Sequence, residues 1–422
     1  MRKMKDSGVE WIGEIPVDWK LSKIGSVYDE RNEKVSDKDF APLSVTKQGI
    51  VPQLETAAKT DNGDNRKLIR KDDFVINSRS DRRGSCGISE YEGSCSLINT
   101  VLKPQTNMCN RYYGFVFKSD GFADEYYRWG HGIVDDLWST KWIDMKSIYI
   151  PAPDITEQER IADYLDAKCS KIDEIIEKQQ AIIEKLKEYK LSIITEGVTK
   201  GLKHNVKMKD SGVRFVDTIP YDWENRKMIT ILSTRVVDGP HESPELYDTG
   251  IPYISATAIV NGKIDFSLMR GYISKEYCEI CDKRYSPQRG DLLVVKLGAS
   301  TGQVAIVDTD ERFNIWVPLA AVRCNDEALP KFVYYVFQSD YFVRQMELSW
   351  TFGTQQTLGV QTIEKLRILL PPIAEQREIA KFLDTIYDNV GSKIENVEKM
   401  IEKLEEYKKS LIYEVVTGKK EV

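Results

Sequence analysis

Histidine is scarce in this 422-residue chain: His131, His204 and His241 are the only three. Cys278-Glu-Ile-Cys281 is a lone CxxC. A zinc site needs a second pair or a histidine at suitable spacing, and neither is near. The seven cysteines are odd in number and thinly spread, which argues against a disulfide framework and for free thiols in a reducing cytoplasm. No stretch approaches 18 apolar residues, so no membrane span is expected. The start, Met1-Arg-Lys-Met-Lys-Asp-Ser-Gly8, lacks an apolar signal core. There is no GxxxxGK[ST] to cradle ATP, no Asn-Pro-Pro-aromatic or Asp-Pro-Pro-Tyr run to hold a base amino group, and no FxGxG-like cofactor loop. GxSxG and HExxH are absent too. These absences leave little support for catalysis by this chain alone.

Proline and glycine are missing from one long stretch, Glu157 to about Ile194. There Leu165, Ile172, Leu186 and Ile193 recur at heptad spacing, with Gln179 the polar exception, and Ile161, Ile175, Ile182 and Tyr189 fall beside them. The pattern predicts one amphipathic helix built to lie on another. Some 38 residues would reach roughly 57 Å. The partner is in the same chain. Glu157-Gln-Glu-Arg-Ile-Ala-Asp-Tyr-Leu-Asp166 returns 218 residues later as Glu375-Gln-Arg-Glu-Ile-Ala-Lys-Phe-Leu-Asp384. The second stripe runs Leu383, Val390, Val397, Leu404 and Leu411, flanked by Ile379, Ile386, Met400 and Tyr407. The ends also match: Leu186-Lys-Glu-Tyr-Lys-Leu-Ser-Ile-Ile-Thr-Glu-Gly-Val-Thr199 answers Leu404-Glu-Glu-Tyr-Lys-Lys-Ser-Leu-Ile-Tyr-Glu-Val-Val-Thr417. Heptad logic alone does not demand the shared Gln, Asp or Glu-Tyr-Lys.

A second repeat frames the first. Ile15-Pro-Val-Asp-Trp19, after Met4-Lys-Asp-Ser-Gly-Val9, returns as Ile219-Pro-Tyr-Asp-Trp223 after Met208-Lys-Asp-Ser-Gly-Val213, at an offset of 204. The chain is therefore two tandem halves, each a globular segment followed by a long helix, with the second segment 14 residues longer. Both segments show short strands and Gly-rich turns, so the expected class is α+β. Asp73–Asn77, Ser96–Leu102 and Lys146–Pro153 read as strands and Asn110–Ser119 as a helix; Gly290–Lys296, Lys331–Ser339 and Lys365–Pro372 repeat that grammar. The divisions are 1–153, 154–200, 201–372 and 373–422. Net charge is −6, but residues 154–200 hold 11 acidic and 8 basic residues and residues 373–422 hold 11 and 9, so the helices carry most of it. Between Asn65 and Ser85 lie Arg66, Lys67, Arg70, Lys71, Arg79, Arg82 and Arg83 against Asp72, Asp73 and Asp81. A basic patch on a near-neutral segment is compatible with DNA contact.

The paired helix openings and ends, the Ile-Pro-x-Asp-Trp starts, and loops such as Asp238-Gly-Pro-His-Glu242 and Gly353-Thr-Gln-Gln-Thr357 resemble the specificity subunit of type I restriction–modification enzymes over essentially the whole chain. That resemblance implies two target-recognition domains, each reading half of a bipartite site in double-stranded DNA. It also implies an antiparallel coiled coil of the two helices, with pseudo-two-fold symmetry, that sets an unread spacer. Two methyltransferase subunits would dock on the chain, and two ATP-driven nuclease/translocase subunits would complete the complex. S-adenosylmethionine, ATP and magnesium would sit on those partners, with no cofactor or metal here.

Arginine suits guanine and Asn or Gln suits adenine in the major groove. In the first segment the DNA-contact candidates are Lys47 and Gln48 in a turn, Ser78, Arg79, Arg82 and Arg83 after a strand, and Trp138 and Lys141 beyond Gly130-His-Gly132. In the second they are His241, Lys296, Ser300, Thr301, Gln303, Thr354, Gln355 and Gln356. The competing readings are ion pairs of the arginines with Asp81 or Glu90, a core role for Trp138, and simple solvation of the polar turns. A coiled-coil scaffold without sequence specificity and a stand-alone DNA-modifying enzyme are the alternatives for the whole chain.

Overall fold

A computed structural model describes residues 2–54, 63–132, 138–352 and 356–422. The chain folds as two compact units, Met1–Gln180 with Glu398–Val422, and Ala181–Val397. Each unit therefore contains a globular part, the opening of one long helix and the end of the other.

In the first unit, antiparallel strands are ordered Cys86–Ile88, Phe74–Asn77, Asn99–Pro104 and Tyr28–Glu30. A smaller sheet joins Gly93–Cys95, Arg66–Ile69 and Lys34–Val35. Two short helices, Asn110–Lys118 and Asp120–Arg128, cover the larger sheet. Ser119 separates them: its hydroxyl donates to the Val116 carbonyl at 2.6 Å and accepts from the Phe122 amide. The core runs through Tyr28, Phe74, Tyr112, Phe117 and Phe122, and continues into Ile161, Leu165 and Ile172 of the helix Ile155–Lys200. Leu411, Ile412, Val415 and Val416 of the helix Ile373–Val416 complete it.

The second unit repeats the frame. Val304–Ile306, Leu292–Val295, Leu319–Val322 and Val237–Asp238 stand in the matching order, all antiparallel. Pro330–Gln338 and Asp340–Leu348 are the paired helices. Its smaller sheet differs, since Ile251–Ile254 runs parallel to Asn314–Ile315. The added length includes a helix, Lys275–Asp282, which carries Cys278 and Cys281 as buried free thiols. Ile194, Val198, Ile379 and Leu383 extend this core into the two long helices.

The repeated glutamine now has a physical reason. In the first unit Gln158 is buried; its side-chain oxygen accepts from the Cys109 amide at 2.9 Å and its nitrogen donates to the Pro153 carbonyl at 2.8 Å. In the second, Gln376 accepts from the Leu329 amide at 2.7 Å and donates to the Glu327 and Pro371 carbonyls. Each glutamine ties the first turn of a long helix to the residue capping the first domain helix, satisfying an otherwise orphaned donor. The repeated Asp has a role too: Asp166 takes Arg111, while Asp384 accepts from Tyr335.

The helix ends are tied as well. Gly201 adopts φ +73°, and a Cβ there would meet Glu375 and Trp223. Gly418 adopts φ +72° against Pro16 and Trp19.

Several expectations are corrected. The central helix spans Ile155–Lys200, 46 residues, and so runs on through Gly197 beyond the stretch free of proline and glycine. The expected strand at Ser96–Leu102 starts only at Asn99, because residues 96–99 form a turn closed by the Asn99 amide on the Ser96 carbonyl. The companion row to the buried heptad stripe is also different. Ile175, Ile182 and Tyr189 are 42%, 42% and 49% exposed, whereas Cys169 and Ile183 are buried. Residues four after the stripe lie about 40° from it, and those three after lie about 60° away on the other side; past the helix opening, where Ile161 of the second row is still buried, the core takes the first row and turns out the second. Met400 and Tyr407 are outward for the same reason.

Replacing Gln376 by Leu leaves the half-buried Leu329 amide unpaired. Such an orphan costs about 1–3 kcal/mol. The denaturant midpoint is expected to fall accordingly; an unchanged midpoint would refute the latch.

Candidate nucleic-acid interface

In the first unit the strand Phe74–Asn77 opens into a loop that folds back on residues 138–140. The Ser78 amide and hydroxyl both donate to the Ile98 carbonyl, and the Ser78 carbonyl accepts from Thr140 at 3.0 Å. Arg79 forms a β-bridge with Ser139, which also bridges His131. The indole nitrogen of Trp138 donates to the Tyr127 carbonyl at 2.9 Å, and its ring lies 5.8 Å from that of Tyr127. Trp138 thus fastens the loop to the second domain helix. Ser78, Arg79 and Lys141 line one cleft, and Arg79 and Lys141 are exposed. Arg83 shares a neighbouring hollow with Trp138 and pairs with Asp124, not with Asp81 or Glu90. Arg82 lies 3.5 Å from Asp81 and is largely exposed.

Lys47 and Gln48 cap the hairpin Leu43–Thr46/Gly49–Pro52, and both are exposed. Gln48 lines a different cleft, beside Lys71 and Lys118. The basic run is likewise not one surface patch. Arg66 is buried and donates to Ser94; Lys67 is buried and donates to the Asn99 carbonyl at 2.9 Å and to Glu30.

The second unit builds the same junction with other residues. After Leu292–Val295, the Lys296 carbonyl accepts from Leu358, Leu297 bridges Thr357, and the Gly298 amide donates to the Gln356 carbonyl at 3.1 Å. Gly298 and Gly302 take φ of +93° and +95°, which makes the 298–302 turn possible. Thr301 is buried, with its hydroxyl donating to the Gly298 carbonyl at 2.7 Å, so it shapes the turn rather than offering a contact. Ser300 and Gln356 are half-buried and Gln303 is exposed. Thr354 and Gln355 lie outside the described residues.

Lys296 departs most from expectation. It is 7% exposed, and its ammonium is 2.8 Å from the Asp238 carboxylate. That charge is spent internally. His241, which is exposed, approaches the same carboxylate at 3.3 Å, and Arg284 bonds its other oxygen. Burial alone would push the Asp238 carboxyl up, but the hydrogen bond from Lys296 and the charges of Lys296, Arg284 and His241 hold it below its usual value. Arg284 escaped sequence reading because its partner lies 46 residues away in the chain.

Residues 220–406 match the family model of the type I restriction modification DNA specificity domain. The type I restriction enzyme MjaX specificity subunit of Methanocaldococcus jannaschii is 24% identical, spanning 97% of this chain and 95% of that protein. Over residues 220–406 the chain thus resembles the type I DNA specificity domain, and its likeness to a curated specificity subunit runs along nearly its whole length. The EcoKI specificity subunit of Escherichia coli is 22% identical over 78% of this chain and 71% of its own length. Among solved structures, a chain of a type I R-M system superposes with TM-score 0.70 at 15% identity, covering 95% of this chain and 98% of that one. The HsdS subunit of Thermoanaerobacter tengcongensis gives 0.50 at 17% identity, with 96% and 98% covered. At those identities the likeness is one of fold. The two loop junctions therefore sit on a frame shared by specificity subunits.

Because the folded Asp238 carboxyl titrates below its unfolded value, its stabilising effect is full above about pH 4 and is lost as pH falls through the lower folded value. Asp238→Asn is expected to flatten the acid limb of the stability curve. At pH 7 it should cost about 1.5–3 kcal/mol by leaving the Lys296 ammonium without its anion. Denaturation followed from pH 7 to pH 3 checks both; a variant that kept the wild-type acid limb would exclude Asp238 as its source.

Proposed function

We propose that this chain is the non-catalytic DNA-recognition subunit of a type I restriction–modification complex, with each unit reading one half of a bipartite target. One observation carries the reading: a single frame is built twice with unlike junction residues, in a chain that matches the type I DNA specificity domain. The repeated frame provides two readers, and the differing junctions give each its own sequence. At the corresponding place after the central strand, the first unit has Ser78 and Arg79 and the second has Lys296 and Leu297.

The target-recognition domains are assigned to residues 1–153 and 201–372, with Arg79, Arg82 and Lys141 in the first and Ser300, Gln303 and Gln356 in the second as surface contacts. Phosphate contacts position such a protein and base-edge contacts specify its sequence. Two methyltransferase subunits would dock on the helices. Partly exposed apolar side chains support that surface: Ile175, Met400 and Tyr407 in the first unit, and Ile182, Tyr189 and Phe382 in the second. Methyltransferase subunits would bring S-adenosylmethionine, and nuclease/translocase subunits ATP and magnesium. Buried free thiols suit the cytoplasm. No described helix is long and apolar enough to cross a membrane.

Single-molecule methylation mapping of the source genome, with and without this chain, tests the proposal. One bipartite motif with methyladenine in both halves, lost on deletion, is expected. A genome without such a motif despite an active methyltransferase would refute it. Replacing residues 15–153 by another reader should change one half-site only; alteration of both would exclude independent units. Adding or deleting residues within Ile194–Gly201 or at Asn205-Val206, where one half passes to the next, should change spacer length and leave the half-sites intact. An unchanged spacer would overturn the ruler role.

A further inference from the structure

Asp238 lies on the edge strand Val237–Asp238 of the second unit and is 7% exposed. Its carboxylate meets two cations of different standing. The Lys296 side chain is 9% exposed and neutralises the buried anion internally. The Arg284 side chain is 52% exposed, so its charge is directed outward while one of its terminal nitrogens is anchored on Asp238. A guanidinium carries five N–H donors in a rigid fork. One anchored nitrogen restrains the guanidinium, and the half-exposed side chain leaves its other donors available.

The surroundings are fixed as well. Gly239 lies on the backbone of residues 315 and 316, where an added Cβ would stand 2.3 Å from the Ile315 carbonyl oxygen. The Trp316 indole donates to the Glu242 carbonyl at 3.2 Å, which pins the loop carrying His241. The Lys296 carbonyl accepts from Leu358, so this cluster adjoins the polar junction of Ser300, Gln303 and Gln356. The first unit has Ser78 where the second has Lys296, so the arrangement belongs to one reader only.

We propose that Arg284, oriented by Asp238, is a base-reading residue of the second unit, and that the half-site read by this unit contains a guanine recognised by the Arg284 fork. This rests on the reading of the chain as a specificity subunit. Bidentate hydrogen bonding to O6 and N7 is what distinguishes guanine for arginine. Asp238 is a positioning residue, since it acts through Arg284.

The test uses the full chain assembled with its methyltransferase subunits. Methylation motifs are mapped for wild type, Arg284→Ala, Arg284→Lys and Asp238→Asn, and assembly is confirmed by size-exclusion chromatography. Arg284→Ala should relax one guanine position in the second unit's half-site, with discrimination falling on the order of tenfold to a hundredfold. Arg284→Lys keeps the charge but not the fork, so it should relax the same position. Asp238→Asn should relax that position with Arg284 still present, an effect that general weakening of the fold would not confine to one base. The first unit's half-site should stay intact throughout. Retention of the full motif by Arg284→Lys would overturn base reading. So would uniform weakening on every sequence with a salt slope shallower by about 0.9, the mark of one lost phosphate contact. Loss of methylation at every site in assembled variants would also overturn it. A wild-type complex that methylates no bipartite motif would instead defeat the specificity-subunit reading itself.

Discussion

A long helix with one apolar stripe cannot stand alone in water, and the rest of this chain is arranged around covering two of them. Each unit sheathes the opening of one long helix and the end of the other, and its globular core is continuous with the stripe. Gln158 and Gln376 set where each helix begins relative to its domain, because both ends of the amide are committed to backbone groups. A slipped helix would leave those buried groups unpaired as well as misplacing the stripe. Hydrophobic burial supplies the drive and the amides supply the register.

That division of labour explains what could be read from the chain. Heptad spacing, the paired openings and the two offsets disclose the helices and the tandem plan, because apolar periodicity and repetition are local properties of the sequence. The orientation of the second apolar row could not be read so directly: Ile175 and Ile176 differ by one position and both are isoleucine, yet Ile176 packs against the core while Ile175 is turned outward. Only the actual partner decides between them.

The candidate contacts separate in the same way. The loops after the central strands and those holding Thr140 and Gln356 could be picked out from Gly-flanked polar runs, and the structure joins them in pairs through the Ser78–Thr140 and Lys296–Leu358 hydrogen bonds. Whether a given side chain faces outward was not legible. Lys296 and Thr301 look like surface groups in the sequence and are buried in the structure, while Lys67 is drawn inward by Glu30 and a carbonyl. Arg284 went unnoticed because it becomes meaningful only beside Asp238. Long-range charge pairing assigns these residues their roles, and one sequence contains no record of it.

The way the first unit is closed has a consequence for biosynthesis. Tyr112 donates to the Val416 carbonyl, Tyr413 to Trp11, and Lys419 to Ile12, so residues from the two extremes of the chain share one core. A ribosome adding about 5–20 residues per second takes on the order of tens of seconds to travel from Gln180 to the end of the chain. During that interval the first domain has emerged without Leu411, Val415 or Val416 to cover its core. All of the second unit is made before those residues. The domain synthesised first is therefore the last to be completed, and its exposed apolar face is the feature that a nascent-chain chaperone would have to shield.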